Sequence, residues 1–205
     1  MSKLLFIKAN PKPVELSVSL TVGQTFLGAY KNASPIHTVT ELNLFDIFVP
    51  EIDGTMMSAW GELGKGKSFS DISTEQQKQL GASGEILSQF MNHDKYVFVT
   101  PLWNLMFPAR LKSYIDALCV VGKTFEYTAT GPVGLLKNKK ALHIHSSGGV
   151  HGGAHADRYL RDILGFIGIT DMESLIVEGH EQTPNKVDDI ISHGKDLATQ
   201  IGKQF

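Results

Sequence analysis

The stretch Pro101–Asp116, PLWNLMFPARLKSYID, decides how this chain is read. Before it lies an apolar run, Tyr96-Val-Phe-Val-Thr100, which stops abruptly at a proline. After it Leu111, Tyr114, Ile115 and Leu118 recur at helical spacing. A short apolar run, a breaker and a helical period predict strand, loop and helix. The loop between them places Trp103 and Asn104 between two prolines, so it is stiff, aromatic and polar at one point. In open α/β sheets the loop that leaves the carboxyl end of a strand is where ligands bind. A flat heteroaromatic ring, gripped by face and by edge, suits such a loop.

The same alternation continues in both directions. Strands are predicted at Lys3 to Lys8, His37 to Leu42, Lys95 to Thr100, Lys140 to His145 and Met172 to Val177. Between them lie helical patterns: one starting near Ser17 with Val18, Val22, Phe26 and Ala29, and one through Leu80, Leu87, Phe90 and Met91. Another runs through Tyr159, Leu160, Ile163, Leu164 and Ile167, and a last one from Val187 to Ile201. Thr74 with Gln77 reads as a capping box opening the second of these. Asn43 to Ser73 reads as a long loop with a short helix near Met56 to Leu63, Lys123 to Thr128 as a hairpin arm, and Gly131 to Gly134 as a turn. Five strands alternating with helices imply a doubly wound parallel sheet, in three α/β/α layers, in a single domain spanning residues 1–205.

Composition narrows the function classes. The 205 residues carry a net charge of −2, with basic residues scattered, so nothing favours nucleic acid. One cysteine, Cys119, rules out an internal disulfide, which fits a reducing cytoplasm. No apolar stretch approaches the roughly 18 residues of a membrane helix, and none resembles a signal sequence. A cytoplasmic protein without membrane attachment is the expectation.

In a doubly wound sheet the loops after the first, third and fourth strands share one edge. The first, ANPKPVELSVS, brings Ser17 and Ser19 to a helix start, where free N–H groups and the positive dipole end favour a phosphate. An N-cap role for Ser17 is the plainer alternative. The second supplies Trp103 and Asn104, which also suit core filling and turn closure. The third, Ser146-Ser-Gly-Gly149, exposes backbone N–H groups to close approach. A phosphate end, an aromatic wall and a glycine-lined edge together describe a flavin mononucleotide pocket.

At these residues the chain resembles the FMN-dependent NADH azoreductase and quinone reductase family, of flavodoxin-like fold. The resemblance runs nearly end to end. Its most specific pieces are PLWNLMFPARLKSYID, GKTFEYTATGPVGL (Gly122 to Leu135), KKALHIHSSGGVH (Lys139 to His151) and LGFIGITD (Leu164 to Asp171). It implies that FMN is held by Ser17, Val18 and Ser19, by Leu102, Trp103, Asn104 and Leu105, and by Ser146, Ser147, Gly148 and Gly149. Two positions depart from a common family form: Asn10, where a serine often stands, and Ser147, where many members carry arginine. It further implies ping-pong hydride transfer from NADH or NADPH through FMN to a quinone or an azo compound. A homodimer with active sites at the interface is implied too. Asn104, Tyr127 and His151 are the candidate catalytic donors, and Trp60, Tyr127, His151 and Phe166 the candidate walls of the acceptor pocket, Trp60 reaching over the partner's flavin.

Three other readings carry less weight. His143 and His145 share a strand face, but no cysteine or carboxylate cluster joins them, so no metal is expected. A thiol phosphatase of related topology needs a cysteine and an arginine in the first loop, which has neither; Cys119, in an apolar helical run, reads as a buried structural thiol. A flavodoxin-like electron carrier or redox-sensing FMN protein is the remaining alternative. Carriers dock by charge, and this chain is only mildly acidic and has aromatic residues where a substrate would stack.

Overall fold

The computed structural model describes residues 1–205. In chain order it contains β1 (Lys3–Lys8), α1 (Val18–Ala33), β2 (Thr38–Asn43), α2 (Gly54–Gly64), α3 (Thr74–Met91), β3 (Lys95–Pro101) and α4 (Ala109–Leu118). These are followed by β4 (Phe125–Thr128), β5 (Gly131–Gly134), β6 (Lys140–Ser147), α5 (Ala154–Phe166), β7 (Asp171–Glu178) and α6 (Val187–Gln204). Five strands form one parallel sheet in the order β2-β1-β3-β6-β7, while β4 and β5 pair as a separate antiparallel hairpin. This is the doubly wound order that reverses between β1 and β3.

The strands read as continuous apolar runs because both faces of the sheet are covered. Leu5, Ile7, Tyr96, Phe98 and Ala141 pack toward α3, α4 and α5 with Phe90, Leu111, Tyr114 and Leu160. Leu4, Phe6, Val97, Val99, Leu142 and Ile144 pack toward α1 and α6 with Val22, Phe26 and Ala198. No helix is long and apolar enough to cross a membrane.

Register places the loops. Lys8 pairs with Val99, and Pro101 with Ser146, so β1, β3 and β6 end nearly level. Ala9 N–H then donates to Val99 O at 2.9 Å, and Leu102 N–H to Ser146 O at 2.8 Å, tying the emerging loops side by side.

Some details differ from the sequence expectations. The capping box of α3 is Ser73 with Gln76, one residue earlier than Thr74 with Gln77, because Thr74 already has helical backbone. Gly131–Gly134 is a strand rather than a turn: the reversal falls before it, and Gly134 pairs with Phe125. Cys119 caps the end of α4 and is half-buried, and burial raises its thiol pKa.

Candidate active site

The start of α1 is built for an anion. Ser17 is its N-cap, and its Oγ accepts from Leu20 N–H at 3.3 Å. The same oxygen accepts from the Asn10 side-chain amide at 2.8 Å and lies 3.2 Å from Ser19 Oγ. The N-cap expectation for Ser17 therefore holds. By helix geometry the N–H groups of Val18 and Ser19 have no acceptor within the helix. Asn10, Ser17 and Ser19 are all buried at the carboxyl edge of the sheet.

Trp103 and Met106 exchange backbone hydrogen bonds of 2.7 and 3.1 Å, closing a two-residue turn. At its tip Asn104 and Leu105 take φ of 51° and 66°, the left-handed pair of a type I′ turn. Asparagine tolerates that region; leucine does so at a cost of roughly 1–2 kcal/mol. Trp103 remains 40% exposed and Leu105 45%, an aromatic and an apolar side chain displayed at the sheet edge.

Between these elements lies a cavity of about 460 Å³, lined by Asn10, Lys12, Leu16, Ser17, Val18, Pro101, Leu102, Trp103, Ser146, Ser147, Gly148, His180 and Glu181. An adjoining groove of about 740 Å³ lies on the other side of Trp103, with Asn104, Met106, Phe45, Val49 and Arg110 among its walls. The residues fit a flat ring with a phosphate tail. The α1 N-terminus and its hydroxyls meet one end, Trp103 forms a wall, and Gly148 closes the third side with Glu181 over it. A Cβ added to Gly148 would lie 2.3 Å from a Glu181 carboxylate oxygen, so that exposed side chain rests over the glycine.

Tyr127, Phe125 and Phe166 form an aromatic row, with ring centroids 5.5 Å apart for the first pair and 4.4 Å for the second. Tyr127 is 71% exposed at the hairpin. Trp60, exposed on α2, and the row of Tyr127 and Phe166 line neither cavity beside Trp103. His151 lies outside these cavities too, but a Cβ on Gly149 would be 2.7 Å from its Nε2, so it borders the third loop.

His143 and His145 lie under this edge. Asp157 accepts from His143 Nδ1 at 2.9 Å, which leaves His143 Nε2 to accept from Thr100 Oγ1 at 2.9 Å. Burial alone would raise the Asp157 pKa; hydrogen bonds from His143 and Ser174, with Arg161 nearby, outweigh it and hold that carboxyl at about 2. His145 is fully buried and neither ring nitrogen has a partner. Burial, then His143, brings it down to about 4.

The sequence reading missed the loop after β7. Its His180 and Glu181 line the cavity, and Glu181 N–H donates to Gly148 O at 3.0 Å. The signal was present, since GHEQTP leaves the carboxyl end of the fifth parallel strand as the other loops leave theirs.

Comparison with known proteins adds independent information. A family model described as flavodoxin-like fold matches residues 2–201. An FMN-dependent NADH:quinone oxidoreductase of Geotalea uraniireducens is 47% identical, with both chains covered in full. That of Geobacillus kaustophilus is 46% identical over 97% of this chain and 99% of the relative. The chain belongs to this flavodoxin-like family of FMN-dependent NADH:quinone oxidoreductases. Among solved structures, an azoreductase from Bacillus anthracis superposes with a TM-score of 0.91 at 40% identity, both chains covered in full. An FMN-dependent NADH-azoreductase from the same species, in complex with FMN, gives a TM-score of 0.87 at 34% identity over 98% of this chain and 100% of that one.

Proposed function

We propose that this chain binds FMN in the three-loop cradle and uses NADH to reduce quinones and to cleave azo bonds. One observation carries the reading: the α1 N-terminus, the Trp103 turn and the Ser146–Gly148 edge converge on one cavity of about 460 Å³. Bound FMN supplies two-electron redox chemistry, taking hydride from the nicotinamide and passing it to the acceptor.

The chain's own residues position and polarise. Ser17, Ser19 and the Asn10-anchored N-terminus of α1 hold the phosphate. Leu102, Trp103, Asn104 and Leu105 seat the ring on one side, with Ser146, Ser147, Gly148 and Gly149 at its edge. A quinone or azo group gains negative charge on reduction, which hydrogen-bond donors nearby stabilise. Asn104, at the exposed turn, His151, beside Gly149, and Tyr127 are those donors. Donor and acceptor occupy one site in turn, in a ping-pong cycle.

A second copy completes the pocket. Phe48, Ile52, Met57, Trp60, Trp103 and Leu105 are all exposed apolar side chains, 40–59% accessible. Larger exposed apolar patches mark interaction surfaces, and a homodimer would bring one protomer's Trp60 and Tyr127 to the partner's cradle. Purified protein should release FMN, bleach on addition of NADH or NADPH with a measurable preference, and sediment as a dimer. A colourless protein that FMN cannot reconstitute would overturn the reading.

A further inference from the structure

Glu178, the last residue of β7, is half-buried and addresses three consecutive backbone donors of the loop before α5. Oε2 accepts from His151 N–H at 3.0 Å and from Gly152 N–H at 2.8 Å. Oε1 accepts from Gly153 N–H at 2.9 Å. The backbone that delivers these N–H groups is unusual: Gly152, Gly153 and Ala154 have φ of 61°, 76° and 49° in succession. Successive N–H groups in such turns form a concavity for an anion, and here the anion is a side chain of the protein itself. Ala154 is in a region that L-residues avoid, so the loop does not hold this shape by its own preference. Three charge-assisted hydrogen bonds offset that strain. Burial would raise the Glu178 carboxyl; the three N–H donors and the adjacent His145 outweigh it and hold it below the usual carboxylate range.

The loop fixed in this way carries His151, whose Nε2 packs over Gly149. A second tie runs from Val150 N–H to Gln182 Oε1 at 3.3 Å, and with Glu181 N–H donating to Gly148 O at 3.0 Å it joins the loops after β6 and β7 on both sides of Gly149. We propose that Glu178 is a positioning residue of the oxidoreductase site, holding residues 150–154 so that His151 is presented at the Gly149 edge to the electron acceptor. This role rests on the reading of Ser146–Gly149 as the cofactor edge.

The experiment compares the FMN-loaded parent, Glu178→Ala, Glu178→Gln, His151→Ala and the Glu178→Ala/His151→Ala double variant, with a benzoquinone as acceptor. Parent protein that binds no FMN would refute the underlying site reading and not the role of Glu178. Given bound FMN, Glu178→Ala and His151→Ala should each lower kcat/KM for quinone about tenfold, as misplacing an orienting group does. FMN content should stay within about twofold in Glu178→Ala, whose side chain lines neither cavity beside Trp103. The double variant should be no worse than the worse single variant, because both changes remove the same presented group. Glu178→Gln keeps one acceptor oxygen and should fall between parent and Glu178→Ala; it decides the matter if the alanine variant does not fold. A kcat/KM for quinone within twofold of the parent in Glu178→Gln and either single alanine variant, or single effects that multiply in the double variant, overturns the proposal.

Discussion

The side-chain amide of Asn10 donates to Ser17 Oγ across 2.8 Å, joining the end of the first loop to the N-cap of α1. The bond fixes the hydroxyl at the helix's positive end while leaving Asn10 and Ser17 both on the cavity wall. Ser17→Ala removes the cap and, on the proposed function, a phosphate contact with it. It should lower stability by about 1 kcal/mol and weaken FMN binding, read by thermal unfolding and by flavin fluorescence titration. Asn10→Ser, restoring the hydroxyl of the common family form, should keep FMN affinity closer to the parent than Asn10→Ala. Equal affinities for the two Asn10 variants would show that the side chain serves only the fold.

Glu181 lays a carboxylate over Gly148 at the edge of the same cavity. A dianionic phosphate held in this cavity at the α1 N-terminus, as proposed, would be repelled by it, and the side chain is exposed enough to swing outward. Glu181→Gln should therefore tighten FMN binding by a few-fold at low salt, the size of exposed charge effects, and the gain should shrink as salt screens it. An affinity that does not change at any ionic strength would place Glu181 away from the phosphate.

His145 makes stability depend on pH. Its imidazole titrates at about 4 in the folded chain, against an ordinary value near 6.5. Between those values the unfolded chain binds the extra proton and the folded chain does not, so stability rises with pH. The full contribution is present above about pH 6.5; roughly 3 kcal/mol is lost as pH falls toward 4. Urea unfolding at a series of pH values should show this slope, and His145→Leu, which also removes two unpartnered buried nitrogens, should flatten it. A slope retained in the leucine variant would assign the acid sensitivity to another group.

Gly134 locks the β4–β5 hairpin to the end of α5. A Cβ there would sit 2.2 Å from the Gly168 backbone nitrogen, which has nowhere to retreat, and Leu136 N–H donates to Ile167 O at 2.9 Å just beyond. Gly134→Ala should destabilise by about 1–3 kcal/mol or more, as overpacking does, and should disturb the Tyr127–Phe125–Phe166 row. Gly28→Ala, where an added Cβ meets nothing, should instead stabilise α1 by about 0.5–1 kcal/mol. Thermal unfolding of the two variants side by side tests both signs.

The parallel sheet was legible because its strands are covered on both faces and so read as short, unbroken apolar runs such as Leu4–Ile7 and Tyr96–Val99. Boundaries were less legible. The α3 cap slipped by one residue because Ser73 and Thr74 are both competent caps, and the backbone alone chooses between them. Gly131–Gly134 carries turn residues, yet pairs as a strand because Tyr127 and Phe125 supply its partner. On the cavity wall, Ser17 and Trp103 were legible from the loops after β1 and β3, whereas Ser146 and Ser147, expected in a loop, are the last two residues of β6, because they continue its pairing with β7. His180 and Glu181 were missed although their loop leaves a strand end, and Glu178, at the end of β7, was missed too, because single carboxylates and histidines there look like ordinary surface residues.

By itself the amino-acid sequence determined the alternation of strands and helices, the shared edge of the loops and the chemical character of three of them. Those properties are local: apolar period, breaker residues, hydroxyls at a helix start. Tertiary structure alone decided that Asn10 reaches Ser17 across seven residues, that Glu178 grips a loop 25 to 27 residues away, and that His145 is buried without a partner. The last two depend on the register of β6 against β3 and β7, which no local pattern encodes, and all three on burial, which turns ordinary polar residues into hydrogen-bonded anchors or pH-sensitive groups.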